Sequence, residues 1–87
     1  MKLMTIIIQD KDSDRVLEAL VGMGFTVTRI ASTGGFLRKG NVTLFVGLQS
    51  NQVDTVISII KNRCTAHEPN RYAATIFVLD MPDYMKV

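Results

Sequence analysis

The run Lys2-Leu3-Met4-Thr5-Ile6-Ile7-Ile8-Gln9, followed by Asp10-Lys11-Asp12-Ser13-Asp14 and then by residues 15–23, decides the fold. Its first eight residues favour a strand, because the β-branched Thr5, Ile6, Ile7 and Ile8 suit a pleated surface. The acidic segment after it is rich in helix-capping side chains, which predicts an N-cap at Asp12 or Ser13, with Asp14 favoured by the positive helix end. Val16, Leu17, Leu20, Val21 and Met23 then form a helical stripe. Gly22 and Gly24 end it, Gly24 being the expected left-handed stop. Further along, residues 25–31 alternate as a second strand, with Phe25 and Val27 facing one way and Thr26, Thr28 and Ile30 the other. Residues 32–40 are irregular and hold three of the chain's 6 glycines. Asn41–Leu48 resumes as a strand, setting Val42, Leu44, Val46 and Leu48 against Thr43, Phe45 and Gly47. Ser50 or Asn51 is expected to cap a second helix carrying Val53, Val56, Ile57 and Ile60, with Lys61 and Arg63 at its negative end. A polar loop containing Pro69 leads to a last strand over residues 74–79, broken by Asp80-Met81-Pro82-Asp83.

The order β-α-β-β-α-β predicts an α+β, ferredoxin-like fold: a four-stranded antiparallel sheet with two helices on one face. The 87 residues suffice for a single domain spanning 1–87. In the first strand Leu3 and Ile7 oppose Met4, Ile6 and Ile8, and in the last Phe77 and Leu79 oppose Ile76 and Val78. Both sheet faces are therefore apolar, whereas two helices cover only one. Each large aliphatic left wet forgoes about 1.5–3 kcal/mol of burial, so the open face is expected to pack against another copy of the chain.

Composition narrows the function. Ten Lys+Arg against 8 Asp+Glu give a net charge of 10 − 8 = +2, too weak to argue for DNA, RNA or a membrane as partner. The single Cys excludes an intrachain disulfide and fits a reducing cytosol. No run is long and apolar enough to cross a bilayer, and Met1 to Asp10 contains no signal-like segment, so a cytoplasmic protein is expected. Asp10-x-Asp12-x-Asp14 begins like a calcium loop, but Arg15 stands at its glycine position and Val21 at its bidentate glutamate. Cys64 and His67 are spaced like zinc ligands without a second pair, so no metal is expected. No nucleophile–base or Walker-type motif occurs, so no catalytic residues and no cofactor are assigned.

What remains is Ala31-Ser32-Thr33-Gly34-Gly35-Phe36-Leu37-Arg38-Lys39-Gly40-Asn41. Adjacent glycines can turn successive N–H groups toward one anion, with hydroxyls from Ser32 and Thr33 and charge from Arg38 and Lys39 beside them. Phe36 suits a stacked base, and Asn41 can pair bidentately with an adenine edge. A long hairpin with Phe36 tucked onto the sheet accounts for the same residue types. Both readings stay open on residue types alone.

The run Thr-Gly-Gly-Phe-Leu-Arg at residues 33–38, together with Lys2-Leu3, Gln9-Asp10-x-Asp12, Gly40-Asn41 and the strand Ala74-Thr75-Ile76-Phe77-Val78-Leu79, resembles the P-II-like cyclic di-AMP receptors. That resemblance implies a P-II-like homotrimer with ligand sites at subunit interfaces, acting as a signal receiver without enzymatic activity. Carried over, the ligand contacts fall on Thr28, Gly35, Phe36, Leu37, Asn41, Gly47 and Phe77, with Gly34 and Arg38 completing the loop and Phe77 coming from a neighbouring chain. The sequence departs from the family at Thr26, where relatives have arginine, at Gly24, where they have asparagine, and at Lys86, where they have glutamine. The connection from Cys64 to Ala73 replaces a long loop with a short polar link. The favoured ligand is a cyclic dinucleotide, cyclic di-AMP first, with a downstream protein as a further partner. The alternatives are a P-II-like trimeric interaction module that no longer binds this nucleotide, or a protein that binds a different adenine nucleotide.

Overall fold

The computed structural model describes residues 1–31, 40–64, 74–82 and 85. Its elements are β1 (Lys2–Gln9), α1 (Asp10–Gly22), β2 (Thr26–Ala31), β3 (Asn41–Leu48), a short 3₁₀ turn (Ser50–Gln52), α2 (Val53–Arg63) and β4 (Ala74–Asp80). The strands form one antiparallel sheet in the order β2-β3-β1-β4, an α+β arrangement consistent with the ferredoxin-like fold. Strands β1 and β3, which carry most of the buried strand side chains, take the centre, where a side chain has strands on both sides.

Strand alternation divides the sheet cleanly. Met4, Ile6 and Ile8 of β1 and Val42, Leu44, Val46 and Leu48 of β3 point to the helices and are buried. Val16 and Leu20 of α1 and Val56 and Ile60 of α2 close over them in one cluster, with Phe25, Val27 and Ile76 packed at its margin. On β4 the cover thins: Val78 shares the helical side with Ile76, yet it is exposed.

Helix α1 starts earlier than the capping side chains suggested, at Asp10 rather than beyond Asp12 or Ser13. Gln9 is the N-cap and makes no side-chain cap bond. Instead the Asp10 N–H donates to the Gly40 carbonyl at 2.7 Å, so a backbone group distant in sequence satisfies one of the exposed donors of the first turn. Asp12 and Ser13 are buried inside that turn. Asp12 accepts from Arg15 Nη2 at 2.6 Å, and Ser13 Oγ donates to the Asp10 carbonyl at 2.8 Å. Helix α2 starts later than expected: its N-cap is Gln52 rather than Ser50 or Asn51, which lie in the 3₁₀ turn, itself capped by Gln49, whose N–H donates to Gln52 Oε1 at 2.8 Å.

The end of α1 follows the sequence. Gly24 has φ +91, and its N–H donates to the Val21 carbonyl at 3.0 Å while the Phe25 N–H donates to Leu20 at 3.1 Å. These are the paired bonds of a Schellman motif, and Phe25 returns to the core where Leu20 sits. At the other end of the helical layer Cys64 follows α2, packed against the core. Burial pushes its thiol pKa above the ordinary value, the nearby Asp12 carboxylate adds to this, and Arg15 opposes it.

Three outcomes are expected. Gly24→Ala destabilises the fold by about 1–2 kcal/mol in urea titration, because φ +91 strains any side chain. Gly22→Ala, in ordinary helix with open space around its Cβ, raises stability by about 0.5–1 kcal/mol. Cys64, protonated in the fold to a higher pH than a free thiol, is expected to react slowly with a thiol reagent near pH 8 and at the free-cysteine rate once unfolded. Equal rates in both states would contradict its raised pKa.

Candidate functional site

The face of the sheet turned away from the helices can be mapped from register. Thr28 of β2 lies opposite Phe45 of β3, Phe45 opposite Thr5 of β1, and Thr5 opposite Phe77 of β4. The neighbouring row reads Thr26, Gly47, Leu3, Leu79, and the row on the other side Ile30, Thr43, Ile7, Thr75. Asn41 opposes Gln9 beyond that. Ile30, Phe77 and Leu79 are 46%, 52% and 54% exposed, so this face is apolar and uncovered at both of its edges.

Four of the residues singled out in the sequence, Thr28, Asn41, Gly47 and Phe77, share this face. Gly34, Gly35, Phe36, Leu37 and Arg38 lie outside the described residues, as do Ser32, Thr33, Lys39, His67 and Lys86. The four are spread out. Thr28 and Phe77 occupy opposite edge strands, three interstrand steps or about 14 Å apart. Asn41 and Gly47 bracket β3 along about 20 Å of strand. Within one chain, Phe77 therefore does not close over the surface between Thr28 and Gly47.

The electrostatics of this face are those of neutral donors and acceptors. Among the described residues its strand positions carry four Thr hydroxyls beside Thr28, at positions 5, 26, 43 and 75, and the amides of Gln9 and Asn41, but no charge. Arg29 of β2 points to the helical side, where its guanidinium donates to Asp14 at 2.8 Å and Asp10 at 2.9 Å. It is committed to α1 and cannot stand in for an arginine at Thr26, as strand alternation requires. Lys2 and Asp80 pair at the β1–β4 margin, and the hydrogen bond from Lys2 lowers the Asp80 carboxyl pKa below the ordinary value. An anion on the open face would thus meet hydroxyls, amides and backbone N–H groups of the described strands.

One contributor escaped the sequence reading. Met81 follows β4, and its N–H donates to the Met1 carbonyl at 3.0 Å, extending the β1–β4 ladder by one step. Its Cε lies 3.8 Å from where a Cβ on Gly47 would stand. Period-two alternation continued past Leu79 puts Met81 on this face, a signal masked by the neighbouring Pro82, which reads as the end of the strand.

Comparison with known proteins follows this geometry. A solved structure described as a functionally unknown protein from Pediococcus pentosaceus ATCC 25745 is similar to the chain at 29% sequence identity and a TM-score of 0.82, over 99% of this chain and 96% of that one. The family described as cyclic-di-AMP receptor matches residues 1–72, which takes in Thr28, residues 34–38, Asn41 and Gly47, and leaves Phe77 beyond its end. By that match the chain belongs to the cyclic-di-AMP receptor family.

Proposed function

We propose that this protein is a cytosolic signal receiver, a single P-II-like domain over residues 1–87 that assembles as a homotrimer and binds cyclic di-AMP between subunits. The family match over residues 1–72 carries the ligand class and favours a binding protein over an enzyme. Support for an interface site comes from the sheet: Thr28 and Phe77 stand on opposite edges, too far apart to hold one adenine within a chain. A second copy bringing its β4 edge to the β2–β3 surface would pair one subunit's Thr28 and Gly47 with the neighbour's Phe77. The same contact would cover Ile30, Phe77 and Leu79, whose exposure is costly in water.

In this reading residues 34–38 cradle phosphate through turned N–H groups and the Arg38 charge, Phe36 stacks on one base, and Asn41 reads an adenine edge. Gly47 lets the nucleotide approach the strand backbone. The chain passes the signal to a downstream protein and needs no cofactor. Thr26 favours a weakened variant of this site. It sits directly opposite Gly47 on the open face, where the resembling proteins have an arginine, so a short hydroxyl replaces a planar cationic fork. A trimer that holds another adenine nucleotide, or none, is the alternative that Thr26 keeps in view.

Light scattering on the purified chain is expected to give three times 9.7 kDa. A stable monomer would remove the interface site. In calorimetry with cyclic di-AMP, Phe36→Ala and Asn41→Ala should each weaken binding about five- to two-hundredfold with little change in melting temperature. Gly47→Ala separates function from fold: among the described residues an added Cβ meets only Met81 Cε, at ordinary contact distance, so the chain should fold normally yet bind less tightly. Thr26→Arg is expected to tighten binding. Absence of heat with cyclic di-AMP, ATP or AMP, together with unfolding of Phe36→Ala, would make the loop structural.

A further inference from the structure

Gly47 is the one position of the Thr26-Gly47-Leu3-Leu79 row without a side chain, and it leaves a notch between Thr26 and Leu3. The notch is filled from far along the sequence. The Met81 thioether methyl reaches it at 3.8 Å from the position of a Gly47 Cβ, and the half-buried Met81 is held at its backbone by the bond to the Met1 carbonyl. Among the described residues, this methyl is what a group approaching the Gly47 backbone from the open face meets. Methionine suits such a post: its unbranched side chain has three rotatable bonds and leaves an apolar contact without breaking a hydrogen bond.

We propose that Met81 is a displaceable cover on Gly47, so that a nucleotide entering against β3 moves the Met81 side chain aside. The inference rests on the interface site proposed above, whose ligand it makes a competitor of Met81. It gives the chain a ligand-responsive side chain at the point where the β1–β4 ladder stops. Pro82, next in sequence, cannot donate a backbone hydrogen bond, so it adds no donor to the ladder beyond Met81. Binding and release of this cover are coupled, so removing the thioether should favour the ligand.

The test uses the full chain with carbon-13 methyl-labelled methionine, the Met81 signal assigned through Met81→Leu. In the ligand-free protein, a nuclear Overhauser contact is expected between the Met81 methyl and the Gly47 α-protons. On saturation with cyclic di-AMP that contact should vanish and the methyl resonance shift, while Met81→Ala should bind cyclic di-AMP about three- to tenfold more tightly than the parent. No methyl contact with Gly47 in the free protein would overturn the cover whatever the ligand does. Binding heat in the parent with the Met81–Gly47 contact retained, or unchanged or weaker binding by Met81→Ala, would overturn the cover and leave the receptor reading standing. No heat with cyclic di-AMP in the parent, Met81→Ala or Thr26→Arg would overturn the receptor reading and the cover with it.

Discussion

Strand β1 is apolar on both faces and lies inside the sheet, between β3 and β4, and most of the molecule follows from how its two faces are covered. Met4, Ile6 and Ile8 meet α1 and α2, and their burial with Leu44, Val46, Leu20 and Val56 supplies the core. Leu3, Thr5 and Ile7 face the other way, where the described residues offer no third helix. At about 25 cal/mol per Å² of apolar surface, a face bearing Leu3, Ile7, Phe45, Phe77 and Leu79 strongly favours cover. A sheet that is two-sided in its apolarity but one-sided in its helices is a half-finished layer. Self-association is the simplest way to finish it, and a ligand trapped at such a seam is shielded from water on both sides.

The same division explains how the chain's charges are placed. Arg29 and the α1 acids Asp10 and Asp14 face each other on the helical side, tying β2 to the start of the helix. Lys2 and Asp80 do the same for β1 and β4. On the described strands these pairings leave the open face to hydroxyls, amides and aliphatic groups. Such a surface tolerates burial against a neighbour far better than one studded with lysines. Under the proposed function, the described strands act as an uncharged platform and the charge that meets an anion comes from elsewhere in the chain.

Glycines mark the points where backbone geometry outweighs side-chain packing. Gly24 and Gly40 both have positive φ, the first closing α1 and the second leading into β3 while its carbonyl receives the Asp10 N–H. Gly47 differs from both, since its conformation is open to any residue and only the absence of a Cβ matters. A glycine in the run of a strand, where no turn is made, is better explained by something that must come close than by a need to turn.

Much of this was legible in the sequence. Periods of two and of 3.6 are local properties, and they placed β1, β3, both helices, the Gly24 stop and the division of Thr28, Asn41, Gly47 and Phe77 from Arg29. The run at residues 33–38 pointed to the family. Features that depend on partners distant in sequence were not legible. The start of α1 is set by the Gly40 carbonyl rather than by a capping side chain, so Asp12 and Ser13 misled. The ion pairs of Arg29, the separation of Thr28 from Phe77 across the sheet, and the Met81 methyl over Gly47 all require the strand order β2-β3-β1-β4. A side chain's direction follows from its own backbone, and that much a sequence determines. What the side chain meets depends on which segment the long-range pairing brings beside it, and only the tertiary structure decided that.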